Sequence, residues 1–287
     1  AEFQSLGIPT DVYQDGTGAY IFVDPLSASF GGVTGGNPNL QEETAETFTT
    51  GLVWQPEFVQ GLSITLDYWD IAIEDAIEAV SSQNIVDGCY QQAVPNPAFC
   101  ELSGRNDNPN SAQVGGFNFL RQTTLNFAKV ETSGYDFSVS YAFDLGAHGF
   151  DVTAQGTKVD EINDFENPLD PTFKNPELVE INRPELAGNV FLNWNWGDLR
   201  VGWQSQFIDE MLYGGIEVET AETLYGSSVF RDAMWMHDIN ASYLINDGLM
   251  VYGGIKNVTE EVPYITELAF PASPRGRFFF VGVDWSM

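Results

Sequence analysis

Few residues in this sequence are of types that do covalent or metal chemistry, and their spacing points away from catalysis. Cys89 and Cys100 have neither a His nor a third Cys beside them, and they are not a C-x-x-C pair. Zinc binding and thiol redox cycling are therefore poor readings. A disulfide closing a surface loop in an oxidising compartment fits better, and two unpaired thiols are the alternative. His148 falls in an expected short turn and His237 on an expected strand. Neither has a Ser or Cys nucleophile motif nearby, so turn or membrane-interface roles are expected of both. The acidic pairs Glu42-Glu43, Asp160-Glu161 and Glu260-Glu261 sit at loop boundaries. Calcium takes several oxygen ligands, but no spaced acidic loop motif is present. Solvated loop charge is the reading taken. No catalytic residue, metal site or cofactor is expected.

Composition narrows the class further. Eleven Lys and Arg stand against 41 Asp and Glu in 287 residues, a net charge of −30. Nucleic acids and anionic lipid surfaces both need Lys and Arg to neutralise them, so neither partner fits. Aromatics make up 14% of the chain, which sets it apart from disordered acidic sequences. No apolar run approaches the roughly 18 residues of a membrane helix. That test is blind to a barrel, whose strands turn only alternate residues to lipid.

The elements that must position these residues are strands. Tyr135, Phe137, Val139, Tyr141 and Phe143 alternate with Asp136, Ser138, Ser140 and Asp144. Leu186, Gly188, Val190, Leu192, Trp194 and Trp196 interleave with Ala187, Asn189, Phe191, Asn193 and Asn195. Leu62, Ile64, Leu66 and Tyr68 alternate with Ser63, Thr65 and Asp67. Period two with one apolar and one polar face is the mark of a β-strand.

Nine strands are predicted, near 44–55, 61–74, 121–143, 149–160, 185–196, 199–210, 233–245, 249–258 and 276–287. Short connections rich in Gly, Asn, Asp and Pro (Pro56 to Gly61, Asp144 to Gly149, Gly197-Asp198, Asn246 to Gly248) alternate strictly with long ones. The long ones run about 75–120, 161–184, 211–232 and 259–275. A soluble sandwich has no reason to gather its short turns at one end. An outer-membrane barrel has short periplasmic turns and long external loops. Trp54, Phe143, Trp196, Tyr243 and Trp285 all fall at the short-turn ends, as an interfacial aromatic girdle would. Nine is odd, whereas bacterial single-chain barrels have even strand numbers, so the strands read as part of a larger barrel.

Four motifs then resemble one family, the TonB-dependent receptors. Asn37-Pro-Asn-Leu-Gln-Glu-Glu-Thr44 is similar to its N-P-x-L-x-P-E-x-S/T segment, with Glu42 in place of Pro. Gly61 to Ile77 resembles its G-L-x-x-x-x-D-Y-Y-D-I-x-I-x-D-x-I strand. Asn126 to Asp136 resembles N-x-x-x-x-x-T-x-G-x-D, and Gly253 to Thr259 resembles G-x-x-N-L-x-N/D. The last residues fit an outer-membrane assembly signal at Gly282, Trp285 and Met287, although family members usually end in Phe.

The resemblance implies an all-β fold, an antiparallel transmembrane barrel of which this chain holds about the last nine of 22 strands. Residues 1–43 would be an external loop region and 44–287 the C-terminal strands, with the plug and the TonB box lying outside this sequence. It also implies a Gram-negative outer-membrane location and TonB-dependent import of a scarce nutrient: a ferric siderophore, cobalamin or a carbohydrate. The implied partners are outer-membrane lipid and lipopolysaccharide, the remaining strands and plug, TonB through the plug, the barrel assembly machinery and the nutrient. A passive porin and a soluble β-rich binding protein are the alternatives. Trp69, Tyr213, Tyr225, Phe230, Arg231 and Trp235 gather near the expected outer mouth. Stacking on a sugar or siderophore and plain loop packing are both open for them.

Overall fold

In the computed structural model, residues 13–14, 20–21, 32–90, 96–108, 116–214, 216–262 and 275–286 are described. Nine long strands form: β1 (Thr44–Trp54), β2 (Leu62–Ala79), β3 (Thr124–Leu145), β4 (His148–Phe165), β5 (Leu186–Trp196), β6 (Leu199–Ile208), β7 (Met234–Asn246), β8 (Leu249–Lys256) and β9 (Phe278–Trp285). They pair in chain order from β1 to β9, an antiparallel meander with no crossover. Consecutive antiparallel strands need only tight hairpins. Just two residues separate β3 from β4, β5 from β6, and β7 from β8. Gly146 and Gly197 take positive φ in the first two of these turns, a backbone conformation that costs an L side chain and is free to glycine.

The registers separate the two faces of the sheet row by row. One row runs Val152, Leu192, Trp203, Ile239, Ile255, Phe279, and the next runs Phe150, Trp194, Val201, Ala241, Gly253, Val281. On the opposite face the rows read Gln155, Asn189, Gln206 and Asp151, Asn193, Gly202, Asn240. No described element covers the apolar face. Phe279, Val281 and Val283 are 65%, 81% and 62% exposed. Burying one such side chain is worth roughly 1.5–3 kcal/mol, so water is the wrong solvent for this face and hydrocarbon the right one. The soluble sandwich, whose apolar face would be its core, is thereby set aside.

Two differences from the sequence reading have clear causes. The strand expected at 121–143 is broken at Thr123, whose carbonyl accepts from the Val80 amide. Before the break, Phe117–Gln122 joins a separate three-stranded sheet, parallel to Gly32–Thr34 and antiparallel to Ser103–Arg105. Leu120 there enters a different core. The long connections also hold helices: α1 (Ser82–Tyr90), α2 (Pro97–Cys100) and α3 (Val218–Tyr225).

By contacts the chain divides into two compact units: residues 1–44, 74–129 and 165–173, and residues 45–73, 130–164 and 174–287. The first has its own apolar core of Val80, Ile85, Cys89, Phe99, Leu102 and Leu120. Cys89 and Cys100 are bonded to each other, which pins α1 to α2. Pro97 opens α2 without wasting an amide, and the Asn96 Oδ1 accepts from the Ala98 N–H at 3.0 Å as its cap. The second unit carries the body of the nine-stranded sheet.

Candidate functional site: the polar wall and its loops

Three recesses in the second unit, of about 570, 430 and 290 Å³, are lined by side chains of the polar face. The largest lies towards the long-loop ends of β3 to β6. Asp136, Gln155, Thr157, Asn189 and Gln206 line it, with Asn182 and Pro184 from the 166–185 connection. The Thr157 hydroxyl donates to Asp136 Oδ1, which fixes that carboxylate in the wall. The smallest recess holds Gln204, Asn240, Ser242 and Tyr252 beside the Asp238–Lys256 ion pair, whose N···O distance is 3.6 Å. Amides, hydroxyls and single carboxylates supply the polar groups of these surfaces. Such groups bind water and polar solutes and carry out no covalent step.

The connection between β4 and β5 holds two carboxylates shifted in opposite directions. Glu177 is buried, accepts from Asn175 Nδ2 at 3.0 Å and pairs with Arg183. Glu180 lies 3.8 Å from the same guanidinium, and its Oε1 is buried with no hydrogen-bond partner. Burial pushes the Glu180 carboxyl above the ordinary range, and the charges of Glu217 and Asp164 push it the same way. Val179 and Asn182 flank it at positive φ, unusual for a β-branched residue, so this turn is held in a strained conformation. Asp170 shows the opposite shift. The hydroxyl and amide of Thr172 donate to its carboxylate and hold it below the usual range.

Several motif residues turn out to be joints. Asn126 Nδ2 donates to the carbonyls of Gln41 and Asp75, and its Oδ1 accepts from the Gln41 amide. Asn37 donates to the Thr124 carbonyl. The segment at 37–44 and the strand at 126–136 are thus locked together by their asparagines. Asn257, almost fully buried, accepts at its amide oxygen from the Glu261 N–H at 2.7 Å and donates to the Glu261 carbonyl at 2.7 Å. Spacing alone marks these asparagines and does not disclose what they bind.

Of the six candidate substrate-binding residues, Tyr213, Tyr225, Phe230 and Arg231 share the β6–β7 connection. There Met211–Leu212 pairs with Phe230–Arg231, and Tyr213 packs against the small core of Ile208, Met211 and Met234. Arg231 donates to Glu261 at 2.5 Å and to the Val262 carbonyl at 2.8 Å, tying two loops together. The other two stand apart. Trp69 follows Tyr68 on the polar face, its ring against Gly134. Trp235 lies on the apolar face, 4.8 Å from the Phe207 ring.

Trp54, Phe143, Trp196, Tyr243 and Trp285 all lie on the apolar face at the short-turn ends of their strands. Trp196 has company there: His148 stands 5.5 Å from its ring and accepts from the Trp194 indole N–H at 3.1 Å. His237 stacks 5.7 Å from Trp203 on the same face. Gly282 lies opposite Tyr252, where any Cβ would strike the tyrosine ring. Met287 lies outside the described residues, as do large parts of 1–43 and of the last long loop. The acidic pairs form no metal centre: among the described residues, no group of three or more His, Cys, Asp or Glu could hold an ion.

An antiparallel meander with one apolar exposed face, one polar recessed face and short turns at a single end defines a section of transmembrane β-barrel. Comparison with known proteins agrees. Residues 7–258 match the family model described as TonB dependent receptor-like, beta-barrel. The chain therefore belongs to the TonB-dependent receptor family, whose members are non-enzymatic transporters of the Gram-negative outer membrane.

Similar solved structures include the ferric enterobactin receptor of Pseudomonas aeruginosa, at 13% identity and a TM-score of 0.56. That match covers 88% of this chain and 32% of the receptor. The siderophore receptor PirA of Acinetobacter baumannii matches at 17% identity and a TM-score of 0.56, over 88% of this chain and 33% of that one. The ferripyoverdine receptor of P. aeruginosa matches at 17% identity and a TM-score of 0.52, over 86% and 27%. At these identities the likeness is one of fold. The chain spans about a third of the length of the structures it matches. No curated protein matches the sequence.

Proposed function

We propose that this chain is the C-terminal barrel portion of a receptor that takes up a scarce nutrient through the outer membrane with energy delivered by TonB. The observation that carries this reading is the division of faces. Six paired strands place apolar rows on one side, and across β4 to β7 the other side is rich in Asn, Gln, Asp and Ser. A wall of that kind lines a polar lumen and faces lipid outside. The remaining strands would close the barrel, because an open sheet edge in hydrocarbon leaves amides unsatisfied at several kcal/mol each. The plug of the parent protein would contact TonB. Nutrients compatible with this reading are a ferric siderophore, cobalamin or a carbohydrate, bound where the long loops meet the polar wall. The aromatic girdle would seat the barrel at the periplasmic interface, and the Gly282–Trp285–Met287 signal would present it to the assembly machinery.

The test is uptake by cells carrying the complete receptor gene, with and without functional TonB, on minimal medium containing each nutrient class in turn. Energy-dependent uptake of one class that is lost without TonB is expected. Uptake that persists without TonB, with single-channel conductance in bilayers, would make the barrel a passive pore.

A further inference from the structure

Two of the long connections, both within the second unit, are joined by a backbone hydrogen bond. The Leu212 N–H, between β6 and β7, donates to the Val179 carbonyl, between β4 and β5, at 2.9 Å. Met211 and Leu212 are fully buried and pair with Phe230–Arg231, so that side of the joint is fixed. The other side is a turn. It closes on itself through the Val179 N–H to the Arg183 carbonyl and the Arg183 N–H to the Glu180 carbonyl, both at 2.9 Å. Val179 takes positive φ there, a conformation that is unfavourable for a β-branched residue and is kept only while its surroundings hold it.

The charge around this turn is one-sided. Glu180 is 8% exposed, and its Oε1 has no hydrogen-bond partner. Its ion pair is with Arg183, which also serves Glu177 and is itself 39% exposed. Asp164 near the end of β4 and Glu217 just before α3 both act on Glu180 as like charges. Four carboxylates thus stand against one guanidinium. Glu217 belongs to the same connection as Leu212. An ionised Glu180 therefore pushes the two connections apart, and a neutral one does not.

We propose that Glu180 is the proton-controlled pin of a clasp between the β4–β5 and β6–β7 connections, closed while its carboxyl is neutral and released when it ionises. Burial and like charge favour the neutral form in the closed clasp. The clasp is thus tight below the ordinary carboxylate range and loosens as pH rises through the raised folded value. Its consequence falls on the largest recess of the polar wall, because Asn182 and Pro184 of the same turn line it. Release frees both and opens that recess. The β6–β7 side stays in place, tied to the last connection by Arg231 through Glu261 and the Val262 carbonyl. The clasp needs no ligand but a proton, and it rests on the proposed function only for reading the recess as a mouth of the lumen.

The experiment is a distance measurement between spin labels at Ile181 and Thr220 of the complete receptor, by double electron–electron resonance in nanodiscs without nutrient. The Cys89–Cys100 bond leaves neither native thiol free to take a label. A narrow distance distribution is expected at about pH 4 and a broad one at about pH 8, with the narrow component at least about halved. Glu180→Gln, neutral throughout, should keep the narrow component at both. Glu217→Gln removes a like charge and should move the transition to lower pH. Heat-modifiable migration shows that the variants fold, and the wild-type pH series needs no variant. A distribution that does not change with pH, or one that changes equally in Glu180→Gln, would overturn the clasp. A pH response that is intact in a receptor without TonB-dependent uptake would support the clasp and count against the transport reading alone.

Discussion

Replacing Gly134 with alanine should destabilise the barrel wall, because three strands meet at that hydrogen atom. A Cβ there would stand 2.4 Å from the Lys158 carbonyl oxygen on β4 and 2.7 Å from Trp69 Cζ2 on β2. Both separations are roughly 1 Å short of ordinary van der Waals contact. The indole can turn, but the carbonyl belongs to the strand ladder and moves only with its backbone. Overpacking of this kind costs about 1–3 kcal/mol, and a backbone obstacle argues for the upper part of that range. With a urea slope of about 2 kcal/mol/M, a loss of 2 kcal/mol lowers the unfolding midpoint by about 1 M. The assay is the folded fraction of the complete receptor on semi-native gels across a urea series. Adding Trp69→Leu should restore only part of the loss, since it removes one of the two obstacles. A midpoint unchanged in Gly134→Ala, or fully restored by Trp69→Leu, would refute the packing argument.

Three other outcomes follow from the same coordinates. Replacing both Cys89 and Cys100 with Ser should open the first unit, since closing a loop of this size contributes about 3 kcal/mol; limited proteolysis should then cut within residues 81–108 while the strands stay protected. Glu180 holds its proton more tightly folded than unfolded, so the stability of its loop is full below the ordinary carboxylate pKa and falls as pH rises through the raised folded value. Glu180→Gln should therefore slow proteolysis of residues 166–185 at neutral pH and flatten its pH dependence. Leu192→Arg, on the apolar face, should cost about 2–4 kcal/mol of membrane stability, whereas Asn193→Arg, one residue along and on the polar face, should cost little; urea midpoints in vesicles report both.

The strands were legible because their signal is local. Alternation over five or more residues and the Gly-Asp and Asn-Asp-Gly turns place β5, β6 and β7 within a residue or two of where they lie. The first unit was not legible in the same way. Its core joins Val80, Phe99 and Leu120 across long loops, and no periodicity links residues brought together by such distant segments. The break at Thr123 was hidden because strand-forming residues flank the polar run Arg121 to Thr124 on both sides and only the partner sheet changes. Cys89 and Cys100 could be paired from composition and spacing, since no third ligand competed for them. Four of the six mouth residues share one connection, but Trp69 and Trp235 turn to opposite faces, which parity along β2 and β7 already implied.

The central claim, that β5 divides lipid from lumen residue by residue, is open to one direct measurement. Single spin labels at positions 189 to 195 of the complete receptor, reconstituted in vesicles, report access to oxygen dissolved in the bilayer and to a water-soluble nickel chelate. Labels at Val190, Leu192 and Trp194 should favour oxygen, and labels at Asn189, Asn193 and Asn195 should favour nickel or be shielded from both, with a period of two. A pattern without alternation, or one in which the Asn positions are those in contact with lipid, would contradict the account.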